Sequence, residues 1–329
     1  MSRERSALRN RAEWLALRGA LGTLELLPDR WLGPCMTGLA RVAAAVSPAR
    51  RRRSRALVQA RLGLSEAAAA SVVRASFKTL LLNVVDPIVL ERHLRSGHPL
   101  TELVDVDGSE HLRAALASRR GVLVCTGHIG AWEGLGIVLA ELFEPMWGIT
   151  RELDNPLIER FVLERRGRRN LGVIPKDGGA LKLARALRAG QGVLALLDQN
   201  AGRSGAILDF LGAPSSHHTV AGHVAVRQGA LVVPVYLLRR EDGRGYRFLV
   251  EPPIEPAPGL EREAAALDIT RRLSQSLERQ VRAAPGQWLW LHDRWRHAER
   301  VLKLEASASA GPAADGRTAL AGAKGTNGG

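Results

Sequence analysis

Gly121-Val-Leu-Val-Cys-Thr126, running straight into Gly127-His128-Ile129-Gly130-Ala131-Trp132-Glu133, decides how the rest of the chain is read. A short apolar, β-branched run bounded by glycine predicts a buried strand, and the two glycines after it predict a turn into a helix near 130 to 143. Working outward, Met146–Thr150, 192–197, Leu231–Tyr236 and Tyr246–Val250 repeat the strand pattern. Helical segments are expected near 155–167 and 178–189, with a last one at about 261–283. Near-continuous apolar strands need cover on both faces, so the expected fold class is α/β, with a largely parallel central sheet flanked by helices.

Ligands of such sheets bind beyond the carboxyl ends of the strands. The ends here carry His128 and Glu133, then Thr150-Arg151, then Asp198-Gln199-Asn200. On one helix the His128/Glu133 spacing leaves the pair roughly 140° apart. They meet only if His128 lies in the glycine turn and Glu133 reaches back from the first helical turn. A carboxylate on one ring nitrogen fixes the tautomer and leaves the other nitrogen to accept a proton from an alcohol. The competing reading makes His128 a helix cap and Glu133 a solvated acid. Backbone N–H groups at the helix start, or a cation, are expected to stabilise an oxyanion. Arg151, Arg166 and Arg168 suit phosphate or another anionic group through the planar guanidinium fork, and an Arg-rich helix surface is the alternative for each. Asp198 either positions a substrate hydroxyl or forms a structural ion pair.

The 329 residues are 46% hydrophobic and 24% charged, an ordinary globular composition, but 47 Lys+Arg against 33 Asp+Glu leave +14. That excess asks for an anionic partner. Cys35 and Cys125 are too far apart for a zinc ribbon or a disulfide framework. His217, His218 and His223 lack a completing acid or thiol, so no metal is expected. No nucleophile elbow, P-loop or dinucleotide fingerprint is present. Trp288, Trp290 and Trp295 read as packing residues, and nucleic acid is not an expected partner.

The first 95 residues read as helical and basic, with Ser65 capping a long helix. Residues 12–46 are apolar but broken by Arg18, Glu25, Asp29 and Arg30, so neither a cleaved leader nor a spanning window is expected. With Arg50-Arg51-Arg52-Arg53 and Arg55, this region reads equally as an interfacial membrane-docking segment or as a packed hairpin with a solvated basic loop. The expected organisation is a helical, membrane-associating region over 1–95, an α/β domain over 96–304 and a disordered tail over 305–329.

The segment Gly127–Glu133 resembles the H-x4-D/E block of the glycerolipid acyltransferases, in the H-x-G-x-W-E form of the lipid A late acyltransferases. Further blocks agree in order: Arg166-Gly167-Arg168, Asp198-Gln199-Asn200, Phe210-Leu211-Gly212-Ala213-Pro214, Val233-Pro234-Val235 and the run from Pro285 to Arg296. Leu211 stands where a second Phe is common, and the N-terminal segment carries more charge than the family's hydrophobic anchor. The resemblance implies a glycerolipid-acyltransferase-like fold. It also implies transfer of a fatty acyl group from acyl carrier protein or CoA, as co-substrate and with no other cofactor, to a hydroxyl of a membrane lipid. A lipid A precursor, a related glycolipid or a lysophospholipid would be the acceptor. His128 would be the general base oriented by Glu133, and Arg168, Asp198 and Gln199 would bind substrate, joined by Arg151 from the chemistry of its guanidinium. An anionic membrane surface is the implied partner, with peripheral or monotopic placement on the cytoplasmic face of a bacterial inner membrane. A hydrolase using the same dyad and a non-catalytic lipid-binding protein are the alternatives.

Overall fold

The computed structural model describes residues 6–143, 145–150, 152–167 and 171–298. Strands β1 (Val104–Asp107), β2 (Val122–Thr126), β3 (Met146–Thr150), β4 (Leu171–Pro175), β5 (Gly192–Leu196), β8 (Leu231–Arg239) and β9 (Tyr246–Val250) form one sheet in the order β1-β9-β8-β2-β5-β3-β4. Every pairing in it is parallel except β8 with β9. Strands β6 (Ala206–Phe210) and β7 (Ala213–His217) make a separate antiparallel hairpin.

Central β2 is buried at every position, and its period-2 alternation divides the core. Val122 and Val124 pack with Leu135, Val138 and Leu139 of α6 (Trp132–Leu142). Leu123 and Cys125 join Leu183 of α8 (Ala180–Arg188), Ala221 of α9 (Val220–Gln228) and Ile269 of α10 (Arg262–Ala283). Both faces of the sheet are therefore covered, as a parallel sheet of continuous apolar strands requires. Helices α5 (Ser109–Ala117) and α7 (Pro156–Gly167) complete the alternation.

The N-terminal region forms α1 (Ala7–Leu26), α2 (Asp29–Ala45), α3 (Pro48–Leu62) and α4 (Glu66–Arg95). Ser65 caps α4 as expected, its hydroxyl accepting from the Ala68 N–H at 3.3 Å. Val73 and Phe77 of α4 share a core with Trp288, Trp290 and Trp295, so α4 packs on the C-terminal part of the chain.

The arginine run is not a loop but lies on α3, and part of it is structural. Arg53 donates to the Leu291 carbonyl at 3.2 Å, Ser54 to the Trp290 carbonyl at 3.0 Å, and Arg55 pairs with Glu66 at 2.8 Å. Arg50 and Arg52 remain exposed. So do several large apolar side chains of the first two helices and their junction, with Leu26 86% and Trp31 56% exposed. Against the expectation of no spanning window, α4 is long and apolar enough to cross a membrane by length and composition, though 39% of that window is buried inside the protein. The tail over 305–329 lies outside the described residues.

Candidate active site

The loop between β2 and α6 is fixed at almost every backbone group. The N–H groups of His128, Gly130, Ala131 and Glu133 donate to Asp198 Oδ2, the Gln287 carbonyl, the Leu237 carbonyl and Asn83 Oδ1. The His128 carbonyl accepts from the Leu289 N–H at 3.0 Å. Glycine is required at two places. Gly130 has φ +64 and a Cβ there would overlap the Leu237 carbonyl, while a Cβ on Gly127 would press on Asp198. Asn83, buried in α4, also donates to the Gly130 carbonyl at 2.9 Å, so the N-terminal region braces this loop directly. These four N–H groups are committed within the fold and are not free to stabilise an oxyanion.

His128 Nδ1 lies 2.6 Å from Asp198 Oδ1, and Asp198 Oδ2 accepts both the His128 N–H at 2.7 Å and Trp288 Nε1–H at 2.9 Å. The side chains are 19% and 3% exposed. With Nδ1 protonated toward the carboxylate, Nε2 presents its lone pair outward, with Gln199 Nε2 at 3.4 Å. Burial alone would lower the basicity of His128. The Asp198 charge and hydrogen bond, followed by the charge of Glu133, outweigh it and raise the imidazole above its ordinary value. Burial works against the Asp198 carboxylate as well, but His128, Arg294 and Trp288 hold it well below the usual carboxylate range.

Behind Asp198 stands a second layer. Arg294, 1% exposed, donates to the Asp198 backbone carbonyl and to His217 Nδ1 at 2.9 Å, and its guanidinium lies 4.5 Å from the centroid of the Phe210 ring. Burial brings Arg294 down to about 10, still charged at neutral pH. His217 Nε2–H reaches the Leu208 carbonyl at 3.1 Å; burial first and the Arg294 charge second lower it to about 3, so it is neutral. His292 Nε2 accepts from the Asn200 N–H at 3.0 Å.

At the start of α6 opens an apolar cavity of about 460 Å³. Trp132, whose ring meets His128 edge-on at 5.5 Å between centroids, lines it together with Glu133. Pro87 and Ile88 of α4, Ile149 of β3 and Leu194 of β5 continue the lining. Among the described residues, no group of three or more His, Cys, Asp or Glu is placed to hold a metal ion.

The expected site residues thus separate. His128, Asp198 and Gln199 converge, and Glu133 stands at the cavity on the first turn of α6. The Nδ1 partner expected to be Glu133 is Asp198, since the ring nitrogen is already taken at hydrogen-bond distance. Asp198, expected to touch substrate, has both oxygens engaged and almost no exposure. Arg151 and Arg168 lie outside the described residues, and of the Arg166 side chain nothing is described. Asn83, Trp288 and Arg294 are functional residues beyond those expected, Trp288 serving the carboxylate as well as the core and Arg294 the layer behind it. The signal for both Trp288 and Arg294 was the polar residues threaded through Gln287-Trp-Leu-Trp-Leu-His-Asp-Arg294.

A family model described as bacterial lipid A biosynthesis acyltransferase matches residues 1–297. The chain is 31% identical over 194 residues to the lipid A biosynthesis palmitoleoyltransferase of Escherichia coli, covering 58% of this chain and 61% of that one. It is 32% identical over 195 residues to the lauroyltransferase of the same organism, with the same coverage of 58% and 61%. The phosphatidylinositol mannoside acyltransferase of Mycobacterium tuberculosis is 28% identical over 195 residues, 58% of this chain and 59% of that one. The aligned part therefore spans about three fifths of the length of these curated relatives.

Proposed function

The chain belongs to the bacterial lipid A biosynthesis acyltransferase family, and from that membership we propose that it transfers a fatty acyl group from a thioester, acyl carrier protein or CoA, to a hydroxyl of a membrane glycolipid. A lipid A precursor is the acceptor this reading favours. The observation that carries it is an imidazole held at Nδ1 by the buried Asp198 carboxylate and packed edge-on against Trp132, which lines an apolar cavity. His128 Nε2 takes the proton of the acceptor hydroxyl as its oxygen attacks the thioester carbonyl. The ester C–O bond forms, the C–S bond breaks, and the imidazolium returns the proton to the departing thiolate. Asp198 holds the tautomer and balances the imidazolium that forms. Gln199, its amide nitrogen 3.4 Å from Nε2, orients the reacting groups, while Glu133 adds negative charge that sustains the base. The anionic groups of donor or acceptor fall to Arg151 and Arg168. The acyl chain lies in the cavity.

The exposed apolar and basic surface of the N-terminal helices supports the same reading. Exposed Leu8, Leu15, Leu26 and Trp31, with the cations Arg50 and Arg52, suit an interface of anionic lipid at the cytoplasmic face of the inner membrane. Mass spectrometry of membrane lipids from cells with and without the protein tests the proposal. A glycolipid one acyl chain heavier is expected only when the protein is present, and identical lipid profiles would refute it.

A further inference from the structure

The apolar cavity has a neighbour. A second chamber of about 510 Å³ is lined by charged side chains, among them Arg18, Arg95 and Glu164, and Leu21, Glu91, Phe161 and Arg165 line both spaces. Among the described residues, these four are common to both spaces. Of these, Arg165 of α7 pairs with Glu25 of α1 at 2.7 Å and with Glu91 of α4 at 3.4 Å. The Phe161 ring lies 5.7 Å from the guanidinium. We propose that this ion-pair cluster is the end wall of the apolar cavity and sets the longest acyl chain the protein accepts, at about 10 to 12 carbons. This rests on the cavity holding the acyl chain.

The length follows from α4, which runs along the cavity. Asn83 marks the level of the active site, because its carboxamide holds the Glu133 N–H; Leu80, one turn before it, lines the mouth, and Glu91 marks the wall. Eight residues of helix separate Asn83 from Glu91, a distance of about 12 Å at about 1.5 Å per residue. Carbon–carbon bonds of about 1.5 Å at near-tetrahedral angles advance about 1.25 Å per carbon, so about ten carbons fill that distance. The carbonyl end adds one or two at the mouth. A longer chain gains nothing beyond this point, because it would displace a paired guanidinium and enter a chamber lined by charge.

Binding of saturated fatty acids of 8 to 18 carbons to the full chain, measured by displacement of a fluorescent fatty acid, tests the wall. In the wild type, affinity should rise by about fourfold per methylene up to about 12 carbons and then stop rising or fall. Arg165→Ala joins the two chambers while Glu91 keeps Arg95 at 3.5 Å. It should raise the affinity for 16 carbons relative to 12 by at least tenfold, and Arg165→Lys should restore most of the cut-off. A wild type whose affinity climbs steadily to 18 carbons, or an Arg165→Ala protein with the unchanged cut-off, would overturn the proposal and leave the cavity assignment standing. Gly148→Val separates the two. Gly148 lines the cavity, with Leu171 Cδ2 the nearest atom to its added Cβ at 3.9 Å, so a larger side chain fills the space. It should weaken every chain length. Unchanged binding of all lengths by a folded Gly148→Val protein would refute the cavity as the acyl site, and the wall with it.

Discussion

Replacing Asp198 with asparagine should trap His128 in the wrong tautomer. Asp198 Oδ2 accepts two N–H groups, from the His128 backbone at 2.7 Å and Trp288 Nε1 at 2.9 Å, while Oδ1 meets Nδ1 at 2.6 Å. An asparagine offers one accepting and one donating end. Turning its NH2 toward the two N–H groups would leave both unsatisfied, at about 1–3 kcal/mol each, or about 2–6 kcal/mol together. The carbonyl therefore stays on that side, and the NH2 donates to Nδ1. The ring proton moves to Nε2, the atom that must accept from the acceptor hydroxyl. The kcat is expected to fall by about 10²–10⁴, the usual contribution of a general base, in a protein that still folds. Asp198→Ala should lose the same activity and also destabilise the fold, because both N–H donors lose their partner. Steady-state acyl transfer with a thermal melt on each purified variant is the assay. A folded Asp198→Asn enzyme with kcat within threefold of wild type would refute the tautomer argument.

Three further outcomes follow from the site and its surroundings. Burial opposes the His128 imidazolium, yet the Asp198 and Glu133 charges raise the group overall. The neutral base thus accumulates only above the ordinary histidine value of about 6.5. The acid limb of kcat/KM should lie above that pH, and Glu133→Gln should move it to lower pH. Arg294→Ala removes a buried cation that holds the Asp198 carbonyl and His217, and urea titration should show a loss of about 3–5 kcal/mol. Replacing exposed Arg50 and Arg52 with serine should weaken co-sedimentation with anionic vesicles and flatten its salt dependence without altering the melt. Arg53→Ser, which loses the contact with Leu291, should lower the melting temperature instead.

What the sequence disclosed follows from burial. Strands covered on both faces, such as β2 and β5, are continuous apolar runs and were legible. Edge strand β1, Val-Asp-Val-Asp, keeps one buried residue of four, and β4, at the opposite edge, carries Gly172 and Pro175, so neither shows that pattern. The β6–β7 hairpin escaped for another reason. Its Ser215-Ser216-His217 is polar because it packs against buried Arg294, with Ser215 Oγ 2.8 Å from His217 Nε2. At the site, His128 was legible from its place after a buried strand, whereas its partner was sought five residues away when it lies seventy away. The information was in the sheet order: β2 pairs with β5 with Thr126 opposite Leu196, so the residues two further along each strand, His128 and Asp198, meet. Nothing local in the sequence declares that two strands are neighbours.

The most direct test of acyl transfer by His128 is a product balance on the purified protein, with a dodecanoyl thioester, a glycolipid acceptor carrying a free hydroxyl, and mass spectrometry of both products. One thiol released per ester formed, strict dependence on the acceptor, and loss of both products in a folded His128→Ala variant are the expected results. Thiol release matched by free fatty acid at a rate indifferent to the acceptor, or a His128→Ala protein that transfers at the wild-type rate, would contradict it.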